Sequence, residues 1–137
     1  MYKRALILSL SLGLLGALAM AVPNYVMPKV IASGRFVYVR AYDGDQFSPN
    51  LLPEDRQAIT TVQSELQKWG HYTVVYRPKE ADVILVVQSR PSEDVLAAYD
   101  AKDPQEYLWR AMGPNGLQKG EAPLMVQFER AVNQVSK

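Results

Sequence analysis

PEDRQAITTVQSELQKWG, residues 53–70, reads as one amphipathic helix set between two strand-like segments. Pro53 suits a first helical position, where its missing N–H costs nothing. Glu54 and Asp55 place negative charge on the positive end of the helix dipole. Ile59, Val62, Leu66 and Trp69 recur at steps of three and four and form a single apolar stripe. Lys68 falls in the last turn, and Gly70 supplies a left-handed stop. Upstream, Phe36 to Tyr42 alternates aromatic and β-branched residues with others, the pattern of a strand. Downstream, Tyr72 to Arg77 reads as a second strand ended by Pro78. Val83-Ile84-Leu85-Val86-Val87 is an apolar run short enough for a strand buried on both faces.

Beyond this unit, Val95 to Tyr99 and Glu106 to Ala111 read as further strands, separated by a turn at Asp103-Pro104. Met112 to Gly120 reads as loop. Glu121 to Val135 places Leu124, Phe128, Val132 and Val135 on one helical face. The order is β-α-β-β-β-β-α. A helix between the first two strands predicts a parallel pairing with a crossover, and the short later links predict an antiparallel meander. The expected architecture is an α+β two-layer sandwich: a mixed, mostly antiparallel sheet of about five strands with two helices on one face.

The N-terminus carries an export pattern. Lys3 and Arg4 precede an uncharged stretch rich in Leu and Ala, and Ala19 and Ala21 flank Met20 just before Pro23. That is the order of a secretory signal peptide cleaved after Ala21. An uncleaved segment would be the one route to a membrane. Val22 to Gly34, with Pro23 and Pro28, reads as an extended leader, and residues 35–137 as a single α+β domain. The chain has 137 residues, 15 basic against 14 acidic side chains, and no cysteine. Removing residues 1–21 takes Lys3 and Arg4 with it and leaves 116 residues, with 13 basic side chains against 14 acidic ones. The remainder is long enough to bury a core without disulfides. Its near-zero charge offers no broad field for nucleic acid. The missing cysteines remove thiolate chemistry, zinc fingers and lipid attachment.

Three segments resemble a known class: Ala81-Asp82-Val83 through Val87, Ala98-Tyr99-Asp100-Ala101, and Tyr107-Leu108-Trp109-Arg110-Ala111. They are similar to uncharacterised small exported bacterial envelope proteins. More loosely, they resemble periplasmic lipoprotein domains of unknown function, whose lipidated Cys this chain lacks. The resemblance spans roughly Phe36 to Val135 and implies an α+β fold and a periplasmic or extracellular address, with no assigned activity.

Candidate sites are few. His71, the one histidine, follows Gly70 at a helix–strand junction, and no G-x-S-x-G turn exposes a serine for it to activate. It reads as a surface or capping residue. Asp43 and Asp45 flank Gly44 after the first strand, with Glu54 opening the helix. This loop is the expected ligand or Ca²⁺ site if the protein has one, although Phe47 stands where an EF-hand needs a third ligand. Otherwise the aspartates form a turn and Glu54 complements the helix dipole. Spacing does not select Asp43 and Glu54 as an acid–base pair over other carboxylates. Gly113, Gly116 and Gly120 lack the Lys-Ser/Thr of a phosphate loop and read as loop glycines. Tyr38, Tyr42 and Tyr99, with Trp109, fall on strands and suggest a recognition surface on the face that helices leave open. The expectation is an exported, non-enzymatic domain without cofactor that recognises an envelope protein or surface component. The alternative is a small ligand- or Ca²⁺-binding protein using the acidic loop.

Overall fold

A computed structural model describes residues 26–120 and 122–136. The export segment and its Ala19/Ala21 cleavage site lie outside those residues. The described elements are α1 (Lys29–Ala32), β1 (Phe36–Ala41), α2 (Pro53–Trp69), β2 (Thr73–Val75), a 3-10 turn (Pro78–Glu80), β3 (Val83–Ser89), β4 (Asp94–Asp100), β5 (Trp109–Gly113) and α3 (Pro123–Ser136).

The sheet runs β2-β1-β3-β4-β5. β1 is parallel to both β2 and β3, whereas β4 is antiparallel to β3 and to β5. Two of the four strand pairs are of each sense, and 12 of the 20 register positions are antiparallel, so the sheet is mixed and mostly antiparallel. The first β-α-β step is parallel, as the sequence predicts, and the antiparallel meander is confined to β3-β4-β5. β2 and β3 are consecutive along the chain, but β1 lies between them.

Register fixes two faces. Val39, Leu85, Ala98 and Trp109 form one row across four strands, and Ala41, Val87, Leu96 and Ala111 form the next. Those rows meet the apolar stripes of α2 and α3 in one continuous core. Ile59, Val62, Leu66, Phe128 and Val132 are all fully buried. Each such side chain contributes about 1.5–3 kcal/mol by leaving water. α2 packs over β1, β2 and β3, and α3 packs over β4 and β5, so the two long helices lie side by side on one face.

α2 begins and ends where its signals lie. Pro53 occupies the first turn, and Gly70 takes φ 80°, its N–H donating to the Leu66 carbonyl at 3.0 Å.

Three expectations are corrected. The stretch read as an extended leader contains α1, a single helical turn. Ile31 and Ala32 in that turn, and Met27 before it, are buried in the core. The fifth strand runs Trp109–Gly113 and not Glu106–Ala111, because pairing with β4 continues to Asp94↔Gly113. β2 is only three residues long, since the 3-10 turn at Pro78–Glu80 redirects the chain.

Candidate recognition face

The second face of the sheet carries the alternate rows. Val75, Tyr38, Ile84 and Tyr99 form one row, and Arg40, Val86, Ala97 and Arg110 the next. Gln88, Val95 and Met112 lie in a third, which Tyr42 extends just beyond the end of β1. The long helices lie on the opposite side. Phe36, Tyr42 and Met112 are each at least 40% exposed here.

The tyrosines are organised by local bonding. Tyr42 and Tyr99 bring their hydroxyls together across β3, above Val86. Burial, followed by the adjacent Tyr42 hydroxyl, pushes the Tyr99 phenol up to about 12. Tyr38 is almost wholly buried, and its phenol is also raised, chiefly by desolvation and then by the nearby Asp45 carboxylate. Both phenols therefore remain protonated, able to donate as well as accept, at any physiological pH.

The two arginines of the middle row stand three strands apart, roughly 14 Å at about 4.8 Å per strand. Arg40 Nε donates to the Ala41 carbonyl at 2.9 Å. The Arg110 guanidinium lies 5.5 Å from the centre of the Tyr107 ring, a cation–π contact. Arg110 Nε is buried without a hydrogen-bond partner. Neither arginine forms an ion pair with a carboxylate among the described residues. No carboxylate occupies any position in the three rows.

Of the residues predicted for recognition, Tyr42 and Tyr99 share this face, and Tyr38 lies beneath its surface. Trp109 does not belong to it. Register with Ala98 turns its indole toward the helices, where it is 5% exposed and meets Phe128 edge-on at 5.4 Å. The arginines escaped the sequence reading, although the two-residue alternation that groups Tyr38 and Tyr42 also includes Arg40.

The acidic loop holds itself together. Asp45 Oδ1 accepts the Phe47 N–H at 2.9 Å and the Ser48 hydroxyl at 3.2 Å, forming an Asx turn. The Arg56 guanidinium donates to the Gln46 and Ser48 carbonyls and ties the loop to α2. Asp43 faces Arg90 at 3.3 Å. Glu54 lines a groove of about 670 Å³ at the carboxyl end of β3. Among the described residues, no three acidic or histidine side chains converge as a metal site.

His71 Nε2 lies 2.8 Å from the Ala32 carbonyl and donates to it, while the ring stacks on Trp69. It borders a cavity of about 490 Å³ lined also by Lys29, Arg35, Ser33 and Ser136. Both serine hydroxyls donate to helix carbonyls, at Lys29 and Val132. The imidazole therefore anchors α1.

Comparison with known protein families, with curated proteins and with solved structures yields no match to this chain.

Proposed function

We propose that this is an exported, non-enzymatic recognition domain that docks a partner of the bacterial envelope on the helix-free face of its sheet. One observation carries the reading. That face combines exposed aromatic and thioether side chains with two arginines that have no carboxylate of their own, on a sheet whose other side is fully occupied by packing. A face with no binding role has little reason to keep two half-buried guanidinium groups without a carboxylate, one of them with a buried Nε that lacks an acceptor, because buried polar atoms normally find partners. The export reading rests on the N-terminal pattern at Lys3, Arg4, Ala19 and Ala21.

Site-directed photo-crosslinking in an exporting bacterial host tests the docking. A benzophenone side chain at Tyr42 or Met112 is expected to give a discrete cross-linked product. The same group at Gln67, on the exposed side of α2, is expected to give none. Equal products from both sides, or none from the sheet face, overturn the reading. The mass of the N-terminal peptide of the exported protein tests the address: a start at Val22 supports cleavage after Ala21, and an intact Met1 makes the chain a tethered one.

A further inference from the structure

We infer that the partner of the helix-free face is an acidic protein segment, with carboxylates seated against Arg110 and Arg40. The inference rests on the docking role of that face and adds the chemistry of its partner.

The argument begins with an atom that lacks an acceptor. Arg110 Nε is buried and makes no hydrogen bond, while the residue as a whole is half-buried and its guanidinium lies against Tyr107. A guanidinium presents its N–H groups as a planar fork that matches a carboxylate bidentately; with Nε enclosed, its two terminal nitrogens form the edge that a partner's carboxylate would meet. Arg40 occupies the same register row on the far side of Val86 and Ala97. Between the two guanidinium groups the row is filled by Val86 and Ala97; the Tyr42–Tyr99 contact crosses it above Val86, and Met112 borders it. The face therefore offers two cations separated by apolar and phenolic surface. An extended segment fits this arrangement if it carries two acidic side chains with an apolar or aromatic residue between them. Every other position in the three rows is neutral, and the one carboxylate that reaches the face, Asp45 at the Tyr38 phenol, is already engaged by the Phe47 N–H and the Ser48 hydroxyl.

An anionic membrane surface fits less well. Polybasic lipid binding uses several protruding basic groups, whereas only two arginines stand on this face and both are half-buried in the sheet plane. The 13 basic and 14 acidic side chains of the chain beyond Ala21 also provide no broad positive field.

The experiment selects random 12-residue peptides displayed on phage against the full chain. Selected peptides are then measured by fluorescence anisotropy at 50 and 300 mM salt. Glu- or Asp-containing peptides with an aromatic or aliphatic residue between the acids are expected to be enriched. Replacing their acids with Gln or Asn is expected to weaken binding at least tenfold, as are Arg40→Gln and Arg110→Gln. Arg110→Lys keeps the charge, loses the fork, and is expected to recover only part of the affinity. Circular dichroism establishes that each variant is folded, and Arg130→Gln, on α3, serves as a charge control that leaves binding unchanged. Vesicles containing phosphatidylglycerol form the competing arm, and binding that needs vesicles and not acidic peptides overturns the inference. Neutral selected peptides that lose affinity with Tyr42→Ser or Met112→Ser, but not with the arginine variants, overturn the acidic partner and leave the docking face standing. Binders indifferent to all of these substitutions overturn both.

Discussion

Asp55 shows how much a single side chain can hold. It is 1% exposed within the first turn of α2, and its carboxylate accepts the Ser89 N–H at 2.8 Å. It also accepts Arg90 Nη1 at 2.9 Å and 3.1 Å. One residue thus joins the start of α2 to the end of β3. Removing one partner of a buried ion pair costs about 3–5 kcal/mol. The Arg90 side chain is 31% exposed, which moves the expected loss for Asp55→Ala to the lower end, about 3 kcal/mol. Urea denaturation measures it, and a loss under 1 kcal/mol would remove Asp55 from that role. Asp82 makes a different prediction. Its Oδ2 accepts the Arg35 and Phe36 N–H groups at 2.9 Å and 3.0 Å, and those bonds hold its carboxyl below the usual range. A carboxylate with a lowered native pKa contributes stability above its unfolded pKa and loses it as pH falls through the native one. The stability gap between the protein and Asp82→Asn is therefore expected to be constant from neutral pH to about 5 and to shrink below about 4. Urea midpoints at pH 7 and pH 3 read the gap, and an equal gap at both ends contradicts the assignment.

Among the elements, Trp109 and Tyr42 mark the packed face of the sheet and the helix-free one. Trp109→Ala is expected to cost about 3–5 kcal/mol because the indole fills core volume against Phe128. Tyr42→Ala, on an exposed ring, is expected to cost less than about 1 kcal/mol in stability. Thermal or urea unfolding compares them, and the reverse order would exchange the two faces of the sheet. The same pair shows what could be read without coordinates. Residues 53–70 were legible end to end because Pro53, the stripe and Gly70 are local signals whose meaning needs no distant partner. The side on which Trp109 falls is set by its pairing with Ala98, a long-range register that local alternation cannot supply. α1 was illegible for a related reason: four residues carry no period, and their helical turn exists because Ile31 is buried in the core. The acidic loop was legible as a turn, since Asp45 bonds to its own near neighbours. The proposed docking face was half legible: the tyrosines stood out by type, while Arg40 and Arg110 become a pair only through the registry of four strands.

At the scale of the whole molecule, the chain enters its fold through a clamp at the corner where α2 gives way to β2. The Tyr72 hydroxyl donates to the Ile31 carbonyl at 2.6 Å, and His71 Nε2 donates to the Ala32 carbonyl at 2.8 Å. α1 rests at the same time against α3. A single turn of helix has no stability of its own, since nucleation outweighs the gain from so few bonds. Its persistence must therefore come from these tertiary bonds and from the burial of Met27 and Ile31. It follows that α1 opens together with the core and not by fraying. The amides of Ala32 and Ser33, bonded to Pro28 and Lys29, are expected to exchange with solvent nearly as slowly as those of β3. Tyr72→Phe removes the shorter of two hydrogen bonds to the Ile31 carbonyl, the Gly34 N–H at 3.3 Å remaining, and is expected to cost about 1 kcal/mol. It should also speed exchange at Ala32 and Ser33 well beyond any change in β3, because the clamp is released while the sheet stays paired. Hydrogen exchange read by NMR distinguishes the outcomes. Fast exchange of both amides in the unmodified protein would make α1 an appendage, whereas equal acceleration everywhere in Tyr72→Phe would mean that the tyrosine supports the core alone.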